Sequence, residues 1–389
     1  MKILFFTSRF PYPLDKGDKL RAFHQISDLS ENHEIHLVSI VDDDIKPEWL
    51  SEVHPYAKGG ITLIRIRPLE RMKSLFISLI YGLPLQIGWF YSNSIKEIIS
   101  ELYKDICPDH IFCQLLRMAE YVKDLPGPKT LDYMDGFGTS MDRRAKIASF
   151  PLDLFFKFEA KRMMAYEKEI AAHFDYLTII SNQDKSLFDF PEAEKMVVVS
   201  NGISEFFTDF ESKNSEKEFD LVFVGNMSYL PNIETVKYIV KDILPLLPGH
   251  FNLLISGTNP AKQVLALASE RVTVTGWVDD IREFYTKGRI FIVPMWSGTG
   301  QQNKILEALA LGVPCITTHE VNNAIGAIPE REILIAENKE AFAHYINLLT
   351  ADRALYTKLS TNGKQFVKEN YTWKQKAEIL NSIFAPKLK

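Results

Sequence analysis

The sequence predicts an α/β protein with two doubly wound domains, each a parallel sheet between layers of helices. Its 389 residues exceed the usual length of one domain, so two domains of roughly 200 residues are expected. A strand, a helix and a second strand follow one another at the start of the chain and again after residue 220. The stretch 290–318 repeats this order, with a glycine loop between its first strand and its helix.

In the first half, apolar runs predict strands that alternate with helices. The first unit is a strand at 2–7, a helix at 20–30 and a strand at 34–40. The other elements predicted here are strands at 61–67, 110–114, 130–133, 176–181 and 196–200, and a long helix at 152–174. We expect a first domain of residues 1–203, onto which a final helix at 373–389 crosses back.

Two loops of the first half carry candidate site residues. The loop after the first strand leads into Gly17, Lys19 and Arg21, at the edge of the sheet where α/β proteins bind ligands. Asp135 follows the strand at 130–133, which places a carboxylate where chemistry takes place. Solvated charges near a turn and a helix-capping aspartate are equally open interpretations of these residues.

The stretch 72–91 is apolar over about the length of a membrane span. Pro84 and nearby glycines interrupt it, so it cannot cross a bilayer as one helix. Arg65, Arg67, Arg71 and Lys73 flank it, as in segments that lie at the surface of anionic membranes. It is therefore either a peripheral membrane contact or an ordinary buried helix and loop.

In the second half, the polar stretch 206–219 is interpreted as a linker that precedes a second domain of residues 218–372. Strands are predicted at 220–224, 252–256 and 272–275, and helices at 232–244, 261–268 and 281–286. Gly225 and Asn226 come directly after the first of these strands. A glycine at this position lets the backbone approach a ligand closely.

The stretch 290–318 contains the most informative residues. Gly298, Thr299 and Gly300 form a loop before a helix at 303–311. Lys304 and Glu307 lie three residues apart and therefore share one face of this helix. A glycine loop, a helix N-terminus and a cation suit a phosphate, and a carboxylate can accept both hydroxyls of a ribose. The pattern indicates a nucleotide diphosphate, although a lysine–glutamate pair is also typical of a solvated helix surface.

Composition excludes several other functions. The net charge is −5, which argues against nucleic-acid binding, and the three cysteines form no pattern of a disulfide framework or a zinc site. The acidic run 42–44 has a plain interpretation as a solvated turn, so no metal site is expected. The first residues do not resemble a signal peptide, and we expect a cytoplasmic protein, peripheral at the inner face of the plasma membrane if the stretch 72–91 is a membrane contact.

Nearly the whole chain resembles the retaining GT-B nucleotide-sugar glycosyltransferases (family 4-like), and most of all the branch of sugar transferases associated with exopolysaccharide systems. The segments that carry the resemblance are FTSRFPYPLDKGDKLRAF, VVVSNGISEFF, FVGNMSYLPNIETVKYIV, VTGWVDDIREFY, FIVPMWSGTGQQNKILEALALGVPCITT and YTWKQKAEILNSIF. The resemblance implies two Rossmann-like domains that face one another across a cleft. It also implies that the donor binds mainly to the second domain.

The resemblance assigns roles residue by residue. Glu307 falls on the glutamate that holds the ribose, and Lys304 on the basic residue that faces the diphosphate. The remaining donor positions are Gly225 and Asn226 beneath the phosphates, Val278 near the base, and Gly298, Thr299 and Gly300 against the sugar and phosphate. Two departures stand out: Thr299 occupies a position where many members carry a glutamate, and the loop NMSYLPNIE lacks the usual cations.

The expected activity is transfer of a hexosyl group, with retention, from a nucleotide-diphosphate sugar to a glycan or lipid-linked acceptor in polysaccharide biosynthesis. Lys304 would stabilise the leaving diphosphate and Asp135 would act on the acceptor side, with no cofactor beyond the donor. Gly17, Lys19 and Arg21 would line the acceptor or phosphate side. Two alternatives remain open: a nucleotide-sugar epimerase of the same fold, and an inactive donor-binding subunit of a partner transferase.

Overall fold

A computed structural model describes residues 1–211, 217–296 and 300–384 of the chain. Contacts divide the chain into two compact units. The first consists of Met1–Ser200 and the C-terminal residues from Lys376 onward, and the second of Asn201–Gln375. Each unit contains one sheet in which all the described strand pairs are parallel.

The first unit is built on a sheet with the strand order β3-β2-β1-β4-β5-β6-β7. Its strands are β1 (Lys2–Thr7), β2 (Glu34–Val41), β3 (Gly60–Arg65), β4 (His110–Gln114), β5 (Lys129–Asp132), β6 (Tyr176–Ile179) and β7 (Val197–Val198). Alternate residues of β1 enter two different clusters, with Leu4 and Phe6 in one and Ile3 and Phe5 in the other. The apolar run of β1 is therefore explained by burial on both faces of the sheet.

Helices cover both faces of this sheet. They are α1 (Gly17–Leu29), α2 (Pro47–Val53), α3 (Pro68–Ile80), α4 (Leu85–Gly88), α5 (Asn93–Ile106), α6 (Ala119–Val122), α7 (Phe137–Ile147), α8 (Leu152–Ala171) and α9 (Asn182–Lys185). The helix predicted at 20–30 begins earlier, at Gly17, because Asp18 joins its first turn, where a carboxylate favours the helix dipole. The long helix predicted at 152–174 ends at Ala171.

The second unit has a sheet with the order β10-β9-β8-β11-β12-β13. Its strands are β8 (Phe219–Val224), β9 (Leu253–Ser256), β10 (Val272–Val274), β11 (Gly288–Val293), β12 (Cys315–Thr317) and β13 (Leu334–Ile335). Its helices are α10 (Glu205–Thr208), α11 (Leu230–Tyr238), α12 (Lys262–Leu265), α13 (Ile281–Lys287), α14 (Asn303–Ala310), α15 (His319–Asn323), α16 (Lys339–Ala351) and α17 (Arg353–Asn370). The helix predicted at 232–244 continues past α11 as a π-helical turn, Ile239–Ile243.

The segments at the two junctions are packed rather than extended. Phe207 and Phe210, in the predicted linker, pack against the core of the second unit, and the Arg282 guanidinium lies 4.5 Å from the Phe210 ring centroid. The last helix, α18 (Trp373–Phe384), begins in the second unit. Its residues Leu380 and Phe384 belong to the core of the first unit.

A buried ion pair joins α1 to β5 within the first unit. Arg21 donates from Nε to Asp132 Oδ2 (2.7 Å) and from Nη2 to Oδ1 (2.9 Å), and both side chains are fully buried. Thr178 adds a hydrogen bond from Oγ1 to Asp132 Oδ1 (2.8 Å). The expectation that Arg21 faces a phosphate is therefore wrong for this structure, because its guanidinium is enclosed and already engaged by a carboxylate.

We expect Arg21→Met to lower the free energy of unfolding by about 3–5 kcal/mol, because it leaves the Asp132 carboxylate buried without its cation. Chemical denaturation of the purified protein measures this change. Lys19→Met is the matched control, since Lys19 pairs with a half-exposed Asp15 and its loss should cost at most about 1 kcal/mol. Equal stability of the two variants would contradict the structural importance of the pair.

Candidate functional site

The candidate site of the second unit lies where the order of its strands reverses. From β8 the chain builds outward through β9 to β10, then returns to pair β11 with the other side of β8. In open α/β sheets, ligands bind at the carboxyl ends of the two strands that flank such a reversal. The loops after β8 and β11 and the start of α14 therefore form the candidate site. The loops contribute Gly225, Asn226 and Gly300, and α14 contributes Lys304 and Glu307.

The loop after β8 is packed closely against the loop after β9. Gly225 donates its backbone N–H to Ser256 O (3.1 Å), and Met227 donates to Thr258 O (2.8 Å). Gly257 has φ of +141°, and a Cβ at this residue would lie 1.8 Å from Gly225 O. Only a glycine can satisfy both conditions, so the backbones of the two loops meet directly at Gly225 and Gly257, an arrangement called the glycine floor below.

Asn232 connects this floor to the helix of the second loop. The residue is buried in α11, and its Nδ2 donates to Asn226 O (2.9 Å). Its Oδ1 accepts a hydrogen bond from Lys304 Nζ, although the two residues are 72 positions apart. A Cβ at Gly225 would lie 2.8 Å from Asn232 Nδ2, so a glycine is needed beside this amide.

Lys304 lies in the first turn of α14 and is half-buried. Its ammonium group is 5.0 Å from the centroid of the Phe223 ring. Burial lowers the pKa of Lys304 to about 7, while the carboxylate of Glu307 acts in the opposite direction. Near pH 7 the amine of Lys304 is therefore protonated in only a fraction of the molecules, and a bound anion would favour the protonated form.

Glu307 follows one turn further along α14. Its Oε2 accepts a hydrogen bond from the hydroxyl of Tyr285 (2.6 Å), a fully buried residue of α13. Burial raises the pKa of Glu307, against the effects of the Tyr285 hydroxyl and of Lys304. Within the described part of the chain no group donates to Oε1, so one oxygen of this carboxylate is held and the other can accept a ligand hydroxyl.

The approach to α14 is held by a pair of amide contacts. Gln301 is buried; its Oε1 accepts from Asn201 N (3.0 Å) and its Nε2 donates to Asn201 O (3.2 Å). Gly300 has φ of +74°, a conformation that favours glycine. Gly298 and Thr299, which the sequence analysis placed against the donor sugar, lie outside the described residues.

Val278 lies in a different part of the same unit. It is half-buried and follows β10, which is separated from β8 by β9. Gly276 and Trp277, directly before it, have exposed positions. Val278 thus lies beyond the carboxyl end of its strand. Among the residues described, no hydrogen bond links it to the network of Asn232, Lys304 and Glu307.

The candidate residues of the first unit form a separate set. Gly17 is the first residue of α1, and Lys19 donates from Nζ to Asp15 Oδ1 (2.9 Å). Asp135 lies beyond the end of β5, after Met134, which has φ of +63°. Its Oδ1 is buried and accepts no hydrogen bond among the described residues. Burial, followed by the carboxylate of Asp184, raises the pKa of Asp135 to about 7.

Sequence reasoning overlooked three residues that these arrangements use. Asn232 and Tyr285 hold Lys304 and Glu307, and Arg117 opposes the rise in the pKa of Asp135. The Arg117 guanidinium lies 5.1 Å and 5.2 Å from the centroids of the Phe90 and Phe137 rings. A polar residue inside the apolar face of α11 was a usable signal for Asn232, whereas no local pattern distinguishes Tyr285 or Arg117.

The described residues contain neither a cluster of metal ligands nor a membrane-spanning helix. No group of three or more His, Cys, Asp or Glu side chains is placed to hold a metal ion in the ranges 1–211, 217–296 and 300–384. Within the same ranges, no helix combines the length and the apolar character needed to cross a membrane.

Comparison with known proteins places these features in context. Residues 218–352 match the family model described as glycosyl transferases group 1. A Klebsiella pneumoniae protein described as an uncharacterized 44.6 kDa protein in the cps region is 22% identical over 98% of this chain and 99% of its own length.

Solved structures with similar folds extend over the whole chain. Sucrose-phosphate synthase from Thermosynechococcus elongatus superposes with a TM-score of 0.71 at 16% identity, over 98% of each chain. Anabaena HepE, solved with UDP and glucose, gives 0.71 at 12% identity over 99% of each chain. These similarities confirm the predicted fold class of two Rossmann-like domains, the architecture called GT-B.

Proposed function

We propose that the chain is a hexosyltransferase that uses a nucleotide-diphosphate sugar, since residues 218–352 match the family model described as glycosyl transferases group 1. The observation that carries the proposal is the arrangement of Lys304 and Glu307 on successive turns of α14, beside the glycine floor at the strand reversal. HepE, which has the same fold, was solved with UDP and glucose, and this supports the same class of donor here.

Each group has a chemical part in the proposed reaction. Glu307 Oε1 accepts hydrogen bonds from the ribose hydroxyls while Tyr285 holds Oε2. Lys304 faces the diphosphate, where negative charge grows as the bond to the sugar breaks. Gly225 and Asn226 are proposed to meet the phosphates, Gly300 the sugar and Val278 the base. Gly298 and Thr299 are assigned to the sugar by the resemblance alone, since they lie outside the described residues. No cofactor other than the donor is proposed.

The acceptor side is assigned to the first unit. Asp135, with its pKa near 7, is suited to accept a proton from an acceptor hydroxyl at neutral pH. Gly17 and Lys19 are proposed to line this side, without Arg21. We propose a glycan or lipid-linked acceptor, retention at the anomeric carbon, and action at the inner face of the plasma membrane. The relative in a cps region supports a role in polysaccharide biosynthesis.

The proposal is tested by incubating the purified protein with a nucleotide sugar, with and without a lipid-linked glycan acceptor. The donor can be chosen by a thermal-shift screen, because a ligand of the folded state raises its melting temperature. We expect release of nucleoside diphosphate only with acceptor, and a product whose anomeric configuration, measured by NMR, equals that of the donor.

Two other outcomes would overturn the proposal. An isomerised nucleotide sugar formed without acceptor would identify an epimerase. Donor binding with no turnover on any glycan or lipid-linked acceptor would identify a donor-binding subunit of a partner transferase, an outcome for which Thr299 is the motivating residue.

Glu307→Ala should weaken binding of a nucleoside diphosphate by about 2–4 kcal/mol, because charge-assisted hydrogen bonds to two hydroxyls are lost. Isothermal calorimetry measures the affinity. Glu283→Ala is the control, since this glutamate is an exposed residue of α13 in the same unit. The ribose assignment is wrong if both variants bind with the affinity of the unmodified protein.

Lys304 should make binding of a nucleoside diphosphate dependent on pH. The ammonium is protonated below its pKa of about 7, so affinity should fall as pH rises through this value, and binding should take up a proton. Calorimetry in buffers of different ionisation enthalpy, on either side of pH 7, measures both effects.

Lys304→Met should abolish this dependence above pH 7 and leave the affinity for the bare nucleoside unchanged. Lys262→Met, which alters an exposed lysine of α12, should behave as the unmodified protein does. An equal loss of nucleoside and nucleoside diphosphate binding in Lys304→Met would show that the cation does not face the diphosphate.

A further inference from the structure

Helix α3 of the first unit has its apolar face turned outward. Its buried residues are Ser74 and Ser78, and the Ser78 hydroxyl donates to Ser74 O (2.7 Å) within the helix. Its exposed residues are large and apolar, and they continue into Tyr81: Leu69, Met72, Phe76, Leu79, Ile80 and Tyr81. The spacing of three to four positions places them on one face of the helix. A surface helix of a soluble domain normally has the opposite orientation, and Leu69 is 82% exposed.

A second exposed apolar segment lies at the turn between α7 and α8. Its exposed members are Ile147, Phe150, Leu152, Leu154, Phe155 and Phe158. Phe150, at the turn itself, is 79% exposed. Exposing so many large apolar side chains to water is energetically unfavourable. A patch of this kind therefore indicates a surface that interacts with a partner or a membrane.

Direct contacts join the two segments. Arg162 of α8 donates from Nη2 to Ser78 O (2.9 Å) and to Leu83 O at the end of α3. The Glu159 carboxylate accepts from Leu85 N (2.7 Å). The Arg162 guanidinium also lies 5.1 Å from the centroid of the exposed Phe158 ring. The Arg162 guanidinium thus links the C-terminal end of α3 to the exposed Phe158 ring, so the two apolar segments are neighbours at this point.

Basic residues surround this surface, although the chain as a whole is acidic. Residues 65–81 contain four basic residues and one acidic residue, and residues 142–162 contain six basic and three acidic, against a net charge of −5 for the chain. Asp44 and Asp42 pair with Arg65 and Arg71, and the basic residues remain in excess. Arg71 lies 5.2 Å from the centroid of the half-exposed Trp89 ring, at the side of α3. Apolar side chains with a basic surround and a tryptophan are suited to the interface of an anionic bilayer. A second copy of the chain would instead bring like charges together.

We propose that α3 and the α7–α8 turn form a single membrane-docking surface, which inserts its apolar side chains into the interface of an anionic lipid bilayer. The surface thus has two parts, and only the first, the apolar face of α3, overlaps the apolar stretch 72–91. Its binding requires no nucleotide sugar, so it can be tested independently of the proposed function.

The test is flotation of the full-length protein with vesicles of phosphatidylcholine, with and without phosphatidylglycerol. We expect binding only to vesicles that contain phosphatidylglycerol, with a fall in binding as salt screens the charges. Phe150→Ser/Leu154→Ser should lower the partition coefficient by at least about tenfold, because two large apolar side chains no longer enter the interface. Ile98→Ser/Ile328→Ser is the control: it removes two apolar side chains, each 48% exposed, outside the surface, and should bind as the unmodified protein does.

A second variant tests how much charge contributes to vesicle binding, without removing apolar side chains. Lys157→Gln/Lys161→Gln changes two exposed residues of α8 and should weaken binding about fivefold for each charge removed, the equivalent of about 1 kcal/mol. Thermal unfolding is measured for every variant. If Phe150→Ser/Leu154→Ser loses its cooperative transition, the charge variant decides the result.

Two results would overturn the proposal. One is the absence of vesicle binding at low salt, or an equal loss of binding in the control pair. The other is a concentration-dependent dimer, detected by analytical ultracentrifugation, that persists in the presence of phosphatidylglycerol vesicles and is lost in Phe150→Ser/Leu154→Ser. That dimer would identify the surface as an interface between copies of the chain.

Discussion

The pairing of β8 with β11 is the constraint on which the candidate site depends. Because β9 and β10 are added on the opposite side of β8, no other strand separates the loops that follow β8 and β11. Asn232 then connects them, with Nδ2 on the backbone of Asn226 and Oδ1 on the ammonium of Lys304. The residues that would meet a diphosphate are thus positioned by a strand order and one buried amide, before any ligand arrives.

The order of the six strands of the second unit matches that of the first six strands of the first unit, but the buried charges of the two units differ. In the first unit, the fully buried Arg21 and Asp132 satisfy one another, which makes the pair a structural element. In the second, burial lowers the pKa of Lys304 and raises that of Glu307, so both groups are held in environments that disfavour their charged forms. A ligand that supplied phosphate charge and ribose hydroxyls would relieve this cost. Buried groups with shifted pKa values are typical of functional sites.

The site could be predicted only where its residues are close in sequence. Lys304 and Glu307 share a helix face through their spacing, and the structure places them on successive turns of α14. The sequence predicts that Arg21 faces a ligand, because charged residues near a loop are usually exposed. The structure instead buries it against Asp132, 111 positions away. Asn232 and Tyr285 were overlooked because their partners lie 72 and 22 positions along the chain. Local sequence patterns do not predict contacts between residues that are so far apart in the chain.

The fold class was determined by the sequence alone. Hydrophobic runs of strand length separated by helical periods specify parallel sheets, because each buried strand needs helices on both of its faces. The tertiary structure decided which side chains these elements leave outside. The apolar residues of α3 have the spacing expected of a buried helix face, but the structure buries Ser74 and Ser78 and leaves the apolar residues exposed. Burial is a property of the neighbours that packing brings to a residue, and those neighbours come from remote parts of the chain.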